Sequence, residues 1–138
     1  MNLKLEELEV YQRAESIADI VWQCCMAWDR FARETVGKQL VRAADSIGAN
    51  IAEGYGRYSY KENIQFCYYA RGSLMETRHF LRRARKRSLL TENQEKEIEG
   101  SLDVVGPKLN AYIRSIKSRL NKTEYVPTIS ERATPNDK

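Results

Sequence analysis

Apolar residues recur at Val10, Ala14, Ile17, Val21, Cys24, Trp28 and Phe31, in steps of four and three. That spacing keeps one side of a helix apolar, whereas a half-buried strand would alternate every second residue. Ala18, Trp22 and Cys25 widen the stripe. A second helix is predicted from about Arg33–Glu34, burying Val36, Leu40, Ala43, Ile47 and Ile51. It is expected to stop at Gly54-Tyr55-Gly56, where a left-handed residue would close the last turn. Ser59-Tyr60-Lys61-Glu62 has the form of a capping box and opens a third helix. Its seam is Asn63, Cys67, Ala70, Leu74, Thr77, Leu81 and Ala84, and it extends to about Arg87, roughly 40 Å of helix. Thr91-Glu92-Asn93-Gln94 is a second capping box. Behind it the fourth seam runs through Ile98, Leu102, Val105, Leu109, Ile113, Ile116 and Leu120.

Gly106-Pro107 falls inside this fourth seam, which continues in phase across it. The pair therefore predicts a kink and not a break. Short links between long helices favour antiparallel neighbours, so the expected fold is all-α: an up-down-up-down four-helix bundle over residues 1–122. Residues 123–138, with Pro127, Pro135 and scattered small polar residues, read as a flexible C-terminal tail.

Composition narrows the class. The 138 residues suit one domain, and no stretch approaches the roughly 18 apolar residues of a membrane span. The first dozen residues lack the basic-then-apolar order of a signal peptide. Cys24, Cys25 and Cys67 have neither the number nor the spacing of a disulfide scaffold or a zinc site. The expectation is a cytoplasmic protein with no metal and no cofactor.

The net charge of +4 is unevenly placed. Residues 1–32 carry net −3, residues 33–54 are neutral, residues 55–90 carry +7, and residues 91–138 are neutral. Five of the six residues from Arg82 to Arg87 are cations. On the third helix Arg71, Arg78, Arg82 and Arg85 fall within about 60° of one another, clear of the seam. Arg83, Lys86 and Arg87 extend the field, and Tyr68 and Met75 flank it. The planar guanidinium fork matches phosphate, so these seven cations form a candidate surface for an RNA or DNA backbone. Two other readings stay open: a solvated helix face, and pairing with the acidic first helix (Glu6, Glu7, Glu9, Glu15, Asp19) of a neighbouring subunit. A role as a protein–protein adaptor is the rival class, since Tyr55, Tyr58, Tyr60, Tyr68, Tyr69 and Trp22 are anchors of the interface type. Trp22 and Trp28 are expected in the core or in packing between subunits.

The segment from Ser46 to Glu76 holds a denser pattern. Asn50 lies on the core side of the second helix, and Arg42, Ser46 and Glu53 line its flank. A carboxylate in the last turn opposes the helix dipole, so Glu53 is expected to have a partner, either Arg57 or Ser73. The set reads as a structural polar network at the corner of helices 2 and 3. An acid–base reading would need a nucleophile or metal cluster, and none accompanies it. The single histidine, His79, lies opposite the seam. An enzymatic role is not expected.

Ser46-Ile47-x-x-Asn50-Ile51-Ala52-Glu53-Gly54-x-Gly56-Arg57-x-Ser59-x-x-Glu62, followed by Phe66, Ala70, Gly72-Ser73 and Glu76, resembles a bacterial family of four helix bundle proteins. That family is encoded in intervening sequences of large-subunit ribosomal RNA genes. Gln39-Leu40-x-Arg42-Ala43-Ala44 also fits, and the resemblance covers roughly residues 8–121. The chain departs from the pattern at Gly48-Ala49 and at Gly106-Pro107. The resemblance implies a small all-α bundle assembling as a homopentamer, without catalytic residues. The family is similar to the accessory variability proteins of diversity-generating retroelements, basic pentamers that bind nucleic acid and a reverse transcriptase. The expected partners are therefore further copies of the chain, RNA or DNA, and a reverse transcriptase or other protein, with no membrane.

Overall fold

The computed structural model describes residues 4–123. The expected tail, with Pro127 and Pro135, lies outside the described residues apart from Thr123, which ends the last helix. A 3-10 turn at Leu5–Glu7 leads into α1, Glu9–Met26. The second helix, α2, is composite: an α-turn Arg30–Ala32, a π-helical segment Arg33–Gly37 and an α-helical body Lys38–Tyr55. The third, α3, is Tyr60–Lys86 and the fourth, α4, is Glu92–Thr123. The helix α1 packs on α2, α2 on α3, α3 on α4, and α4 returns to α1. This is the expected antiparallel four-helix bundle, and no strand occurs among the described residues.

The seams of all four helices close the core as expected, Phe31 excepted. Ile17, Val21, Leu40, Ile47, Ile51, Leu81, Ile98, Leu102, Val105 and Leu109 are completely buried. Thr77 is buried too, its hydroxyl donating to the Ser73 carbonyl at 2.8 Å one turn back. No described helix is long and apolar enough to cross a membrane.

Two boundaries differ from the pattern. The first helix ends before Phe31. Asp29 caps the next helix by accepting the Ala32 amide at 3.0 Å, so the chain turns there. Phe31 is then carried out of the seam and is 79% exposed, while Ala32 and Val36 take the core positions. The second helix accordingly starts at Arg30, earlier than Arg33–Glu34. Its buried residues Ala32, Val36 and Leu40 follow four-residue steps, which the wider π turn keeps on one face. At Gly37 a Cβ would stand 3.1 Å from the Ala32 carbonyl oxygen and 3.4 Å from the Trp28 ring, so the π segment rests directly on that indole.

The second difference is at the end of α2. No described glycine has a positive φ, and Gly56 sits at φ −81°. Gly54 serves close packing instead: a Cβ there would lie 2.7 Å from Asn63 Oδ1 and 2.9 Å from Phe66 Cβ. The left-handed residue is at the other end of α3, where Ser88 has φ 62°. Around it the Leu89 amide donates to the Ala84 carbonyl at 2.9 Å, closing a Schellman turn. Pro107 is accommodated, as the in-phase seam predicts, within a helix that runs unbroken from Glu92 to Thr123.

Candidate nucleic-acid interface

The helix α3 is held at its start by Ser59, whose hydroxyl accepts the Glu62 amide at 3.2 Å. The α4 box is reciprocal: Thr91 Oγ1 accepts the Gln94 amide at 3.1 Å, and Gln94 Oε1 accepts the Thr91 amide at 2.9 Å. With both starts fixed and the helices antiparallel, the basic end of α3 lies beside the acidic start of α4.

That register divides the seven cations. Arg71 Nη1 donates to Asn110 Oδ1 at 3.0 Å, and its guanidinium lies 4.8 Å from the centre of the Tyr68 ring. Arg78 reaches two carboxylates, donating to Glu99 Oε1 and, at 2.9 Å, to Asp103 Oδ1. Its side chain is only 19% exposed. Arg85 Nε is 3.4 Å from Glu95 Oε1, an ion pair without hydrogen-bond alignment. These three arginines are therefore occupied within the chain by α4, a partner the charge pattern did not suggest. The signal was present: Glu95, Glu99 and Asp103 recur at four-residue steps, a single acidic stripe along α4. In an antiparallel pair that stripe meets Arg85 and Arg78 in reverse order.

Arg82, Arg83, Lys86 and Arg87 are exposed and have no carboxylate partner among the described residues. Stepping round α3 from Arg78 at about 100° per residue, Arg82, Lys86, Arg83 and Arg87 follow at about 40°, 80°, 140° and 180°. They fan from the α4 edge of the helix to its α2 edge. There two more cations without a carboxylate partner among the described residues stand on α2, Lys38 and Arg42. A cavity of about 410 Å³ lies between the two helices, lined by Lys38, Arg42, Phe80 and Arg87 among others. Sequence reasoning had no route to this grouping, because Arg42 and Arg87 are 45 positions apart and meet only through packing of α2 on α3.

The motif residues form two separate contacts. Arg57 Nη2 is 3.0 Å from Glu53 Oε2 and Arg57 Nη1 is 3.8 Å from Glu62 Oε2, with the guanidinium 4.7 Å from the centre of the Phe66 ring. Phe66 in turn meets Tyr69 edge-on at 5.3 Å. Of the two partners expected for Glu53, the structure selects Arg57. Ser73 instead receives Asn50 Nδ2 at 3.4 Å, while the same amide donates to the Ser46 carbonyl at 2.9 Å. Nearly three turns back along α3, Asn63 Nδ2 donates to the Tyr112 hydroxyl at 3.3 Å, tying α3 to α4. Burial pushes the Tyr112 phenol above its usual range, against the Asn63 hydrogen bond that lowers it. Glu76 is exposed on α3.

The three thiols are buried and unbridged. Burial pushes Cys25 up to about 12 and Cys67 up to about 11. His79 is exposed and stands edge-on to Phe80 at 4.9 Å. Among the described residues no group of His, Cys, Asp or Glu is arranged to hold a metal.

A second concavity, about 530 Å³, runs between α1 and α2 beside the π segment. Trp22 and Met26 line it and are about half exposed, so Trp22 is not a core residue. Trp28, by contrast, is buried.

Residues 6–111 match the family of 23S rRNA-intervening sequence proteins. The chain belongs to that family. No curated protein matches it. A solved structure of unknown function, from the S23 ribosomal protein family of Bacteroides thetaiotaomicron VPI-5482, is similar at 22% identity with a TM-score of 0.68. The alignment covers 76% of this chain and 95% of that one. At this identity the likeness shows the shared fold. Neither similarity names an enzymatic activity. The four-helix bundle is thus the fold that this intervening sequence protein shares with that structure.

Proposed function

We propose that this intervening sequence protein is a non-enzymatic, cytoplasmic oligomer that binds the backbone of RNA or DNA through the C-terminal half of α3. The observation that carries the reading is the set Arg82, Arg83, Lys86 and Arg87, exposed and without carboxylate partners among the described residues. Side chains in that state are free to neutralise phosphates and release counterions. Arg71, Arg78 and Arg85 are engaged by α4 or Tyr68 and support the helix that presents the field. Recognition on this surface is of backbone charge and shape, since an arginine fan without a groove-reading element carries no base code.

The test is a salt titration of binding to structured RNA, duplex DNA and single strands. The expected wild-type slope of log K against log salt is steep, and replacing Arg82, Arg83 and Lys86 together with Ala flattens it by about 2–3. Equal slopes for the two proteins would remove the reading.

Trp22 and Met26, half exposed over the α1–α2 groove, favour a protein contact as well. We assign that contact to a second copy of the chain. The pentamer implied by the family resemblance is the expected product, and a reverse transcriptase or other protein is the expected further partner.

A further inference from the structure

We infer that the cavity between α2 and α3 holds one unpaired nucleotide of the bound strand, phosphate outward and base inward. The inference rests on the nucleic-acid reading above and names the form of strand that this surface prefers.

The cavity measures about 410 Å³, within the range of about 300–1,000 Å³ typical of small-molecule sites. Its lining is divided chemically. Lys38, Arg42 and Arg87 supply three cations, and none has a carboxylate partner among the described residues. The one acid of the lining, Glu34, is already paired with Arg30 at 3.3 Å. The other part is apolar: Val36 is buried, and Phe80 is half-buried. Inorganic phosphate would use only the cations. A nucleotide uses both, its phosphate on Lys38, Arg42 and Arg87 and its base on the Phe80 ring. Gln39 also lines the cavity, with an amide that donates and accepts and so suits a base edge without selecting one base.

Position on the molecule favours a strand over a free nucleotide. Arg87 belongs both to the cavity and to the fan of α3 cations. A backbone tracking Arg82, Lys86 and Arg83 round α3 reaches Arg87 next, at the mouth of the cavity. A fully paired duplex keeps its bases stacked inside and presents only phosphates there, whereas an unpaired nucleotide is free to turn its base inward.

The test is fluorescence anisotropy with a labelled single-stranded 12-nucleotide RNA and with a blunt duplex of the same length. Adenosine 5′-monophosphate serves as an unlabelled competitor. Arg42→Ala is expected to weaken single-strand binding about fivefold and lower its salt slope by about 0.7, with duplex binding unchanged. Phe80→Leu is expected to weaken single-strand binding about tenfold with the slope unchanged, and Phe80→Tyr to retain wild-type affinity. Arg42 is exposed, so its variant reports on the site even if Phe80→Leu does not fold; because Arg42 also lines the α1–α2 groove, light scattering of the variant is run in parallel and is expected to show the wild-type mass. If Arg42→Ala binds the single strand like wild type while the Arg82, Arg83 and Lys86 triple variant does not, the nucleotide site is overturned and the backbone surface stands. Displacement of the strand by the monophosphate at equal nucleotide concentration overturns the assignment to a strand. Failure of the wild-type protein to bind either RNA at low salt overturns both readings.

Discussion

At Gly54 a Cβ would lie 2.7 Å from Asn63 Oδ1 and 3.0 Å from the Asn63 carbonyl oxygen, where α2 crosses onto α3. Backbone cannot retreat there without displacing Phe66 and the Asn63–Tyr112 hydrogen bond. Gly54→Ala is expected to destabilise the fold by about 2–3 kcal/mol, read as a lower urea midpoint. Ser88 is the opposite case, an L-residue at φ 62° in an exposed turn. Ser88→Gly relieves that conformation and is expected to add about 0.5–1 kcal/mol in the same assay. The buried thiols predict a pH dependence. Cys25 and Cys67 are raised from 9.0 to about 12 and about 11, so folding favours their protonated forms. Their contribution is full below pH 9 and is lost as pH rises towards 11 and 12. Urea midpoints are expected to fall across that window. At pH 8 iodoacetamide should label the native protein slowly and the unfolded chain rapidly.

Between elements, the antiparallel register of α3 and α4 decides what each arginine does. Arg78, shielded from water and held by Glu99 and Asp103, ties the two helices together. Arg78→Ala strands Glu99 beside a gap, and the expected cost is about 1–3 kcal/mol. Thermal melting checks this, while the RNA affinity of the variant is expected to stay within twofold of wild type. Arg82 lies about 40° further round the helix and is expected to behave in reverse, with unchanged melting and weaker binding. The Glu53–Arg57 pair is exposed on both sides, so Glu53→Gln should cost no more than about 0.5 kcal/mol. That is a smaller loss than a buried network would give.

For the whole molecule, assembly through the α1–α2 groove is the expectation that solution measurements address most directly. Trp22→Glu places a charge on the half-exposed wall of the groove. Light scattering is expected to show an oligomer for wild type and a smaller species for the variant, with helical content preserved. An unchanged mass would assign the groove to something other than self-association. The overall charge gradient also acts at this scale. The basic excess lies on α3, so high salt is expected to weaken nucleic-acid binding.

The seams of the four helices, both capping boxes and the continuity of α4 through Pro107 were legible from spacing alone. Helical period, hydroxyl caps and apolar burial are local properties, and a residue's own neighbours carry them. The location of the basic excess on α3 was legible in the same way. Local pattern misjudged Phe31, because the Asp29 cap ends the heptad run one turn early. It also misread Gly54, whose hydrogen replaces a Cβ for the sake of α3 and not for a left-handed turn. The division of the seven cations belonged to tertiary structure. Arg71, Arg78 and Arg85 are occupied, and Arg82, Arg83, Lys86 and Arg87 have no carboxylate partner among the described residues, only because α4 lies along one edge of α3. The grouping of Lys38 and Arg42 with Arg87 was likewise decided by packing. Charge pairing acts over a few ångströms in space, and positions tens of residues apart share no signal until the helices are packed.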